Sequence, residues 1–201
     1  KQTRVLESFI MNEIVDRIPL RDNPELLNFG PYMCIADEKL RLISVFDDLK
    51  YDRSDLDMMS PAMRGHVIKQ LKLIGLEQIS GNVLLHADTD IRCLIPKFHA
   101  LGASPFDITR YTPRGENDFY ILTPTQTACQ YVDHYPLEEA VDRIKALITL
   151  QPINLYKILD YLEHKPKHQE FARAIGHLRL IQREAVASEP LKTRRALGSM
   201  I

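Results

Sequence analysis

Val83-Leu84-Leu85-His86-Ala87-Asp88-Thr89-Asp90-Ile91-Arg92-Cys93-Leu94-Ile95-Pro96 is the stretch on which the fold turns. Its first part is a short apolar run that reads as a buried β-strand ending at His86. Asp88 or Thr89 then suits the start of a helix, and Ile91, Leu94, Ile95, Phe98 and Leu101 recur at helical spacing up to Gly102. Pro96 lies within that run, where it breaks or kinks a helix unless it falls in the first turn. Next come Phe106–Thr112 and Phe119–Thr123, joined by the turn-rich residues 113–118, and they predict an antiparallel pair of strands.

Upstream, Tyr32–Ala36 and Leu40–Phe46 flank the polar tip Asp37-Glu38-Lys39 and predict a hairpin, with Leu40, Leu42, Ser44 and Phe46 on one face. Before it, Val5, Leu6, Phe9, Ile10, Ile14 and Ile18 form the stripe of an N-terminal helix that Pro19 stops. Ser60 and Pro61 open another helix, with Met63, Val67, Leu71 and Ile74 along one side and Gly75 or Gly81 at its end. Beyond Pro136 the pattern is helical, with segments near 137–150, 153–163 and 167–187 separated at Pro152 and Pro166.

The predicted class is therefore α+β. It comprises an N-terminal helix, a mixed sheet of about five strands drawn from residues 32–46 and 82–123 and backed by helices, and a C-terminal antiparallel helical array. Residues 1–136 read as the core domain and 137–201 as a helical region packed on it, with a basic tail from residue 188.

The chain has 201 residues, of which 45% are hydrophobic and 26% charged, enough to bury a core without disulfides or metal. A net charge of -1 gives no whole-molecule attraction to nucleic acid or anionic lipid. Cys34, Cys93 and Cys129 are widely spaced and odd in number, as expected of reduced thiols. Lys1-Gln2-Thr3-Arg4 leads into an amphipathic segment rather than an apolar signal core, and no apolar run is long enough to span a bilayer. A cytoplasmic protein with no membrane partner is expected.

Four groups of residues bear on function. In an extended chain His86, Asp88 and Asp90 point the same way, and an imidazole with two carboxylates suits a divalent metal. The bland alternative makes His86 a core-edge side chain and the acids helix caps. Thr123, Thr125 and Gln126 place hydroxyl and amide groups beside Pro124 at a strand end, fit for a polar ligand or for a capped turn into a helix. Residues 60–79, a helix followed by the strand at Val83, resemble the helix-then-wing order of winged-helix DNA binders, which implies contacts from Lys69 and Lys72. Finally, from Tyr161 onward eight Lys and Arg stand against four Glu. Arg183, Lys192, Arg194 and Arg195 are candidate contacts to a partner, an acidic protein above nucleic acid because aromatic interleaving is absent.

No nucleophile, nucleotide loop or metal ladder emerges, so catalytic residues are unassigned. The leading expectation is a non-enzymatic protein-binding adaptor or regulatory module without a cofactor. A small metal-dependent hydrolase, the only reading that calls for a divalent ion, and a DNA-binding regulator are the alternatives.

Overall fold

The computed structural model describes residues 33–45, 59, 61–88, 91–96, 115, 117–150 and 152–188. The helix expected at 3–18 and the strand expected at 106–112 lie outside them. A six-stranded mixed sheet and five helices make up the described fold.

Strands β1 (Met33–Asp37) and β2 (Leu42–Val45) form the first hairpin. Helix α1 (Pro61–Lys72) leads to β3 (Leu76–Ser80), β4 (Val83–His86) and β5 (Arg92–Leu94), and β6 (Asp118–Leu122) completes the sheet. The strand order is β1-β2-β6-β5-β4-β3. At its centre β2, β6 and β5 run parallel, while each outer pair is an antiparallel meander.

The three central strands read as near-continuous apolar runs because both their faces are covered. Leu42, Leu94, Tyr120 and Leu122 look toward the C-terminal helices. Ile43, Val45, Cys93, Ile95 and Ile121 look the other way, onto Met63, Val67 and Leu71 of α1. Burying a side chain of this size contributes about 1.5–3 kcal/mol, so each face is a substantial core in its own right.

Two differences from the sequence reading concern the deciding stretch and the strand just before it. Residues 91–96 are not the start of a helix, since Arg92–Leu94 form β5. The same residues satisfy a period of two: Ile91, Cys93 and Ile95 face α1 while Leu94 faces the opposite core. Pro96 then lies just past a strand end, where its missing N–H does no harm. The second difference is β3, a sixth strand whose largely exposed sequence carries no apolar alternation.

Gly75 makes the passage from α1 into β3. Its φ of +85° is left-handed, and the His86 ring lies so close that a Cβ would sit 2.9 Å from Nε2. Gly75→Ala is therefore expected to cost about 1–3 kcal/mol, from backbone strain together with displacement of the ring, read by thermal unfolding.

Helix α2 (Pro124–His134) begins where β6 ends, followed by α3 (Leu137–Leu150), α4 (Leu155–Leu162) and α5 (His168–Ser188). Helix α2 lies against β2 and β6, α3 and α4 pack on α2, and α5 packs on α3 and α4. Side-chain to backbone bonds fix the joints. The Gln182 amide accepts from Ile153 N at 2.9 Å and donates to Ile153 O at 3.1 Å, tying the α3–α4 connection to α5. Lys167 Nζ donates to Val132 O and Tyr135 O, both at 2.7 Å, and so caps the carbonyl end of α2 with a positive charge. Among the described residues no helix is long and apolar enough to cross a membrane.

Candidate functional site

The longest-range polar contacts converge on Asp37, at the end of β1. Its side chain is only 1% exposed. Oδ1 accepts from Leu40 N at 2.7 Å and shapes the hairpin turn. Oδ2 accepts from Tyr135 Oη at 2.8 Å and Arg143 Nη1 at 2.7 Å. Arg143 also binds Glu139 through Nε and Nη2, and its guanidinium stacks 4.1 Å from the Tyr135 ring centre. Tyr131 Oη donates to Ala36 O at 2.7 Å beside this cluster.

Burial first, then the hydrogen bond and charge of Asp37, push the Tyr135 phenol up to about 12. It therefore stays a protonated donor near neutral pH. The guanidinium is occupied on both sides by carboxylates, which leaves it poorly suited to capture an anion. The cluster is a latch that holds the first hairpin on α2 and α3.

A second carboxylate lies at the N-terminal ends of the parallel strands. Asp118 and Arg92 are opposed in register on β6 and β5. They meet side by side, Nε to Oδ1 at 2.8 Å and Nη2 to Oδ2 at 2.6 Å, and Gly115 N adds a bond to Oδ2 at 2.6 Å. Burial pushes the Asp118 carboxyl upward, but the hydrogen bonds from Arg92 and Gly115 and the charges of Arg92 and Arg41 outweigh it. The net effect holds it below the ordinary carboxylate range.

A depressed carboxylate contributes stability above its unfolded value, near 3.9, that is lost as pH falls through the lower folded value. Arg92→Met removes that contribution, so the stability gap between parent and variant is expected to be largest near neutral pH and to narrow as pH falls below about 4, followed by denaturant unfolding between about pH 7 and 2. A gap that is independent of pH would refute this account of the pair.

Thr123, Thr125 and Gln126 are buried at the start of α2. Gln126 N donates to Thr123 Oγ1 at 3.2 Å and Thr123 N to Gln126 Oε1 at 3.1 Å, a reciprocal cap. Thr125 Oγ1 accepts from Asn154 N at 3.1 Å, which positions the start of α4. These polar groups serve the joint between β6, α2 and α4.

His86 is buried at the end of β4, and its Nδ1 accepts from Asp88 N at 3.3 Å. The strand has ended by Ala87, and Asp88 is exposed in the following turn. Asp90 lies outside the described residues. Within them, no three His, Cys, Asp or Glu side chains come together as a metal-binding group. Cys93 and Cys129 are buried thiols, and burial together with the Asp118 charge pushes the Cys93 thiol up to about 12. At neutral pH Cys93 is a poor nucleophile.

On α1, Lys69 and Lys72 are exposed, while Arg64 is turned toward the β3–β4 corner through the Asn82 side chain. Arg183 stands exposed on α5, and Lys192, Arg194 and Arg195 lie outside the described residues.

The outward face of α5 differs from these internal clusters. Arg173, Leu180, Arg183 and Glu184 are exposed on the side away from the buried Phe171 and Leu178, and the exposed Arg179 flanks them on the side of α4. Arg179 lies 5.5 Å from the ring centre of Tyr156, which is 56% exposed on α4. Among the described residues no carboxylate forms an ion pair with any of these three arginines. Sequence reasoning found Arg183 through the charge skew but missed Tyr156 and Leu180, whose exposure depends on how α4 and α5 meet. No protein-family model, curated protein or solved structure matches the chain.

Proposed function

We propose that this chain is a non-enzymatic protein-binding module, an adaptor or regulatory unit that works through the outward face of α5. One observation carries the reading: three arginines without ion-pair partners among the described residues share a face with the exposed Leu180 and with Tyr156. Tyrosine and arginine are enriched at protein interfaces, because each combines an apolar body with a directional polar end. In this reading the C-terminal helices act as an antiparallel array that presents a rigid face, and Lys192, Arg194 and Arg195 extend its charge along the sequence.

The test is site-specific photo-crosslinking in the cells that make the protein. A photoreactive residue at Leu180 is expected to trap one protein at defined stoichiometry. The same residue at Ile79, exposed at the far edge of the sheet, is expected to trap none. Arg179→Ala with Arg183→Ala should abolish the adduct, and raised salt should weaken it. Equal adducts from positions 180 and 79, or none from 180, would remove the reading.

A further inference from the structure

We infer that the partner presents an acidic, leucine-bearing helix that crosses α5 at Gly176, an inference that rests on the protein-binding reading above. Gly176 lies near the middle of the 21-residue α5 and is exposed. A Cβ built on it meets nothing within 4 Å, and its backbone is not left-handed, so no contact among the described residues requires glycine there. A mid-helix glycine is nonetheless disfavoured against alanine by about fourfold to fivefold in the folding equilibrium. A bare position on an exposed face gives another backbone room for close approach.

What surrounds Gly176 selects the visitor. Leu180 lies one turn along and is 47% exposed, offering an apolar contact next to the gap. Arg173, Arg179 and Arg183 flank it, at axial steps of about 9 Å and 6 Å, and outnumber Glu184, the exposed carboxylate one turn beyond Leu180. Carboxylates one to two turns apart on a helix match those steps.

A second copy of this chain is the wrong occupant. Docked antiparallel with its Leu180 over Gly176, it would set its Arg183 against Arg173; docked in parallel, it would set each arginine against itself. Nucleic acid would use the arginines but gain little from Leu180 or the bare glycine. An acidic helix satisfies all of these features together.

The experiment measures fluorescence anisotropy of the full chain with three labelled probes. These are an amphipathic helical peptide of Glu, Ala and Leu, the same peptide with Lys for Glu, and a single-stranded oligothymidylate of similar length. The Glu peptide is expected to bind, to weaken with salt, and to lose at least about tenfold in affinity with Arg179→Glu and Arg183→Glu together. Gly176→Leu should likewise lose about tenfold while remaining folded, and Gly176→Ala should raise Tm by about 2–4 °C. Undiminished binding by Gly176→Leu, equal binding of the Lys peptide, or preference for the oligonucleotide would overturn the inference. If position 180 crosslinks a protein but the Glu peptide fails to bind, the acidic helix is wrong and the protein-binding reading stands. If neither occurs, both fall.

Discussion

Replacing Phe171 with alanine is expected to lower the stability of this protein by about 3–5 kcal/mol, the range for emptying a well-packed aromatic site. The ring is fully buried in the cluster that joins Leu122, Ile144, Ile158 and Leu178. That core draws on β6, α3, α4 and α5, so emptying the Phe171 site weakens the seat of α5 within it. A loss of that size is a large share of the 5–15 kcal/mol that holds an ordinary domain together. Denaturant unfolding of the purified variant gives the value directly. A variant as stable as the parent would show that α5 is not seated on α3 and α4 as described.

The second large effect concerns the latch at Asp37. Asp37→Ala leaves the Tyr135 hydroxyl and Leu40 N–H without their acceptor, and strips Arg143 of its buried partner. Breaking a fully buried pair costs about 3–5 kcal/mol. Arg143 is 36% exposed and keeps Glu139, so water compensates part of the loss and about 2–3 kcal/mol is expected. A double-mutant cycle with Arg143→Ala separates the pair from the rest. If the two losses simply add, the ion pair carries nothing and the hydroxyl and turn bonds account for the whole effect.

How much of this was legible depended on how local each cause was. Helices α3, α4 and α5 were readable because their buried residues recur at helical spacing within a single segment. They fall every three or four positions in α3 and α4, and seven apart in α5 with the half-buried Ile175 between them. The β1–β2 hairpin was readable from apolar runs around a polar tip. Strand β5 was not, because three residues are too few to establish a period and Ile91, Leu94 and Ile95 fit both spacings. Only pairing with β6 on one side and β4 on the other decides the matter. Strand β3 was hidden for the opposite reason: four of its five residues are exposed and have no pattern to show.

The polar clusters were illegible on other grounds. Asp37 looked like a hairpin tip, yet its partners Tyr135 and Arg143 stand 98 and 106 positions away. No spacing rule connects residues so far apart. Thr123 and Gln126 were legible as a cap because a capping box is complete within four residues. The cap at Thr123 was legible locally, while the helix start expected at Asp88 or Thr89 was overridden by strand pairing and the Asp37 cluster had to await the sheet.

The parallel centre of that sheet also sets an order of events while the chain is being made. The first hairpin is complete in sequence by Val45, but β2 gains its inner neighbour only when Asp118–Leu122 emerge. Until then Leu42 and Ile43, destined for opposite cores, have no lid on the β6 side. Closing so long a loop is slow, and an open strand edge invites pairing with other chains in the interval. A nascent chain halted before Asp118 thus still carries an open β2 edge, and the arrival of residues 118–122 is the step that closes it.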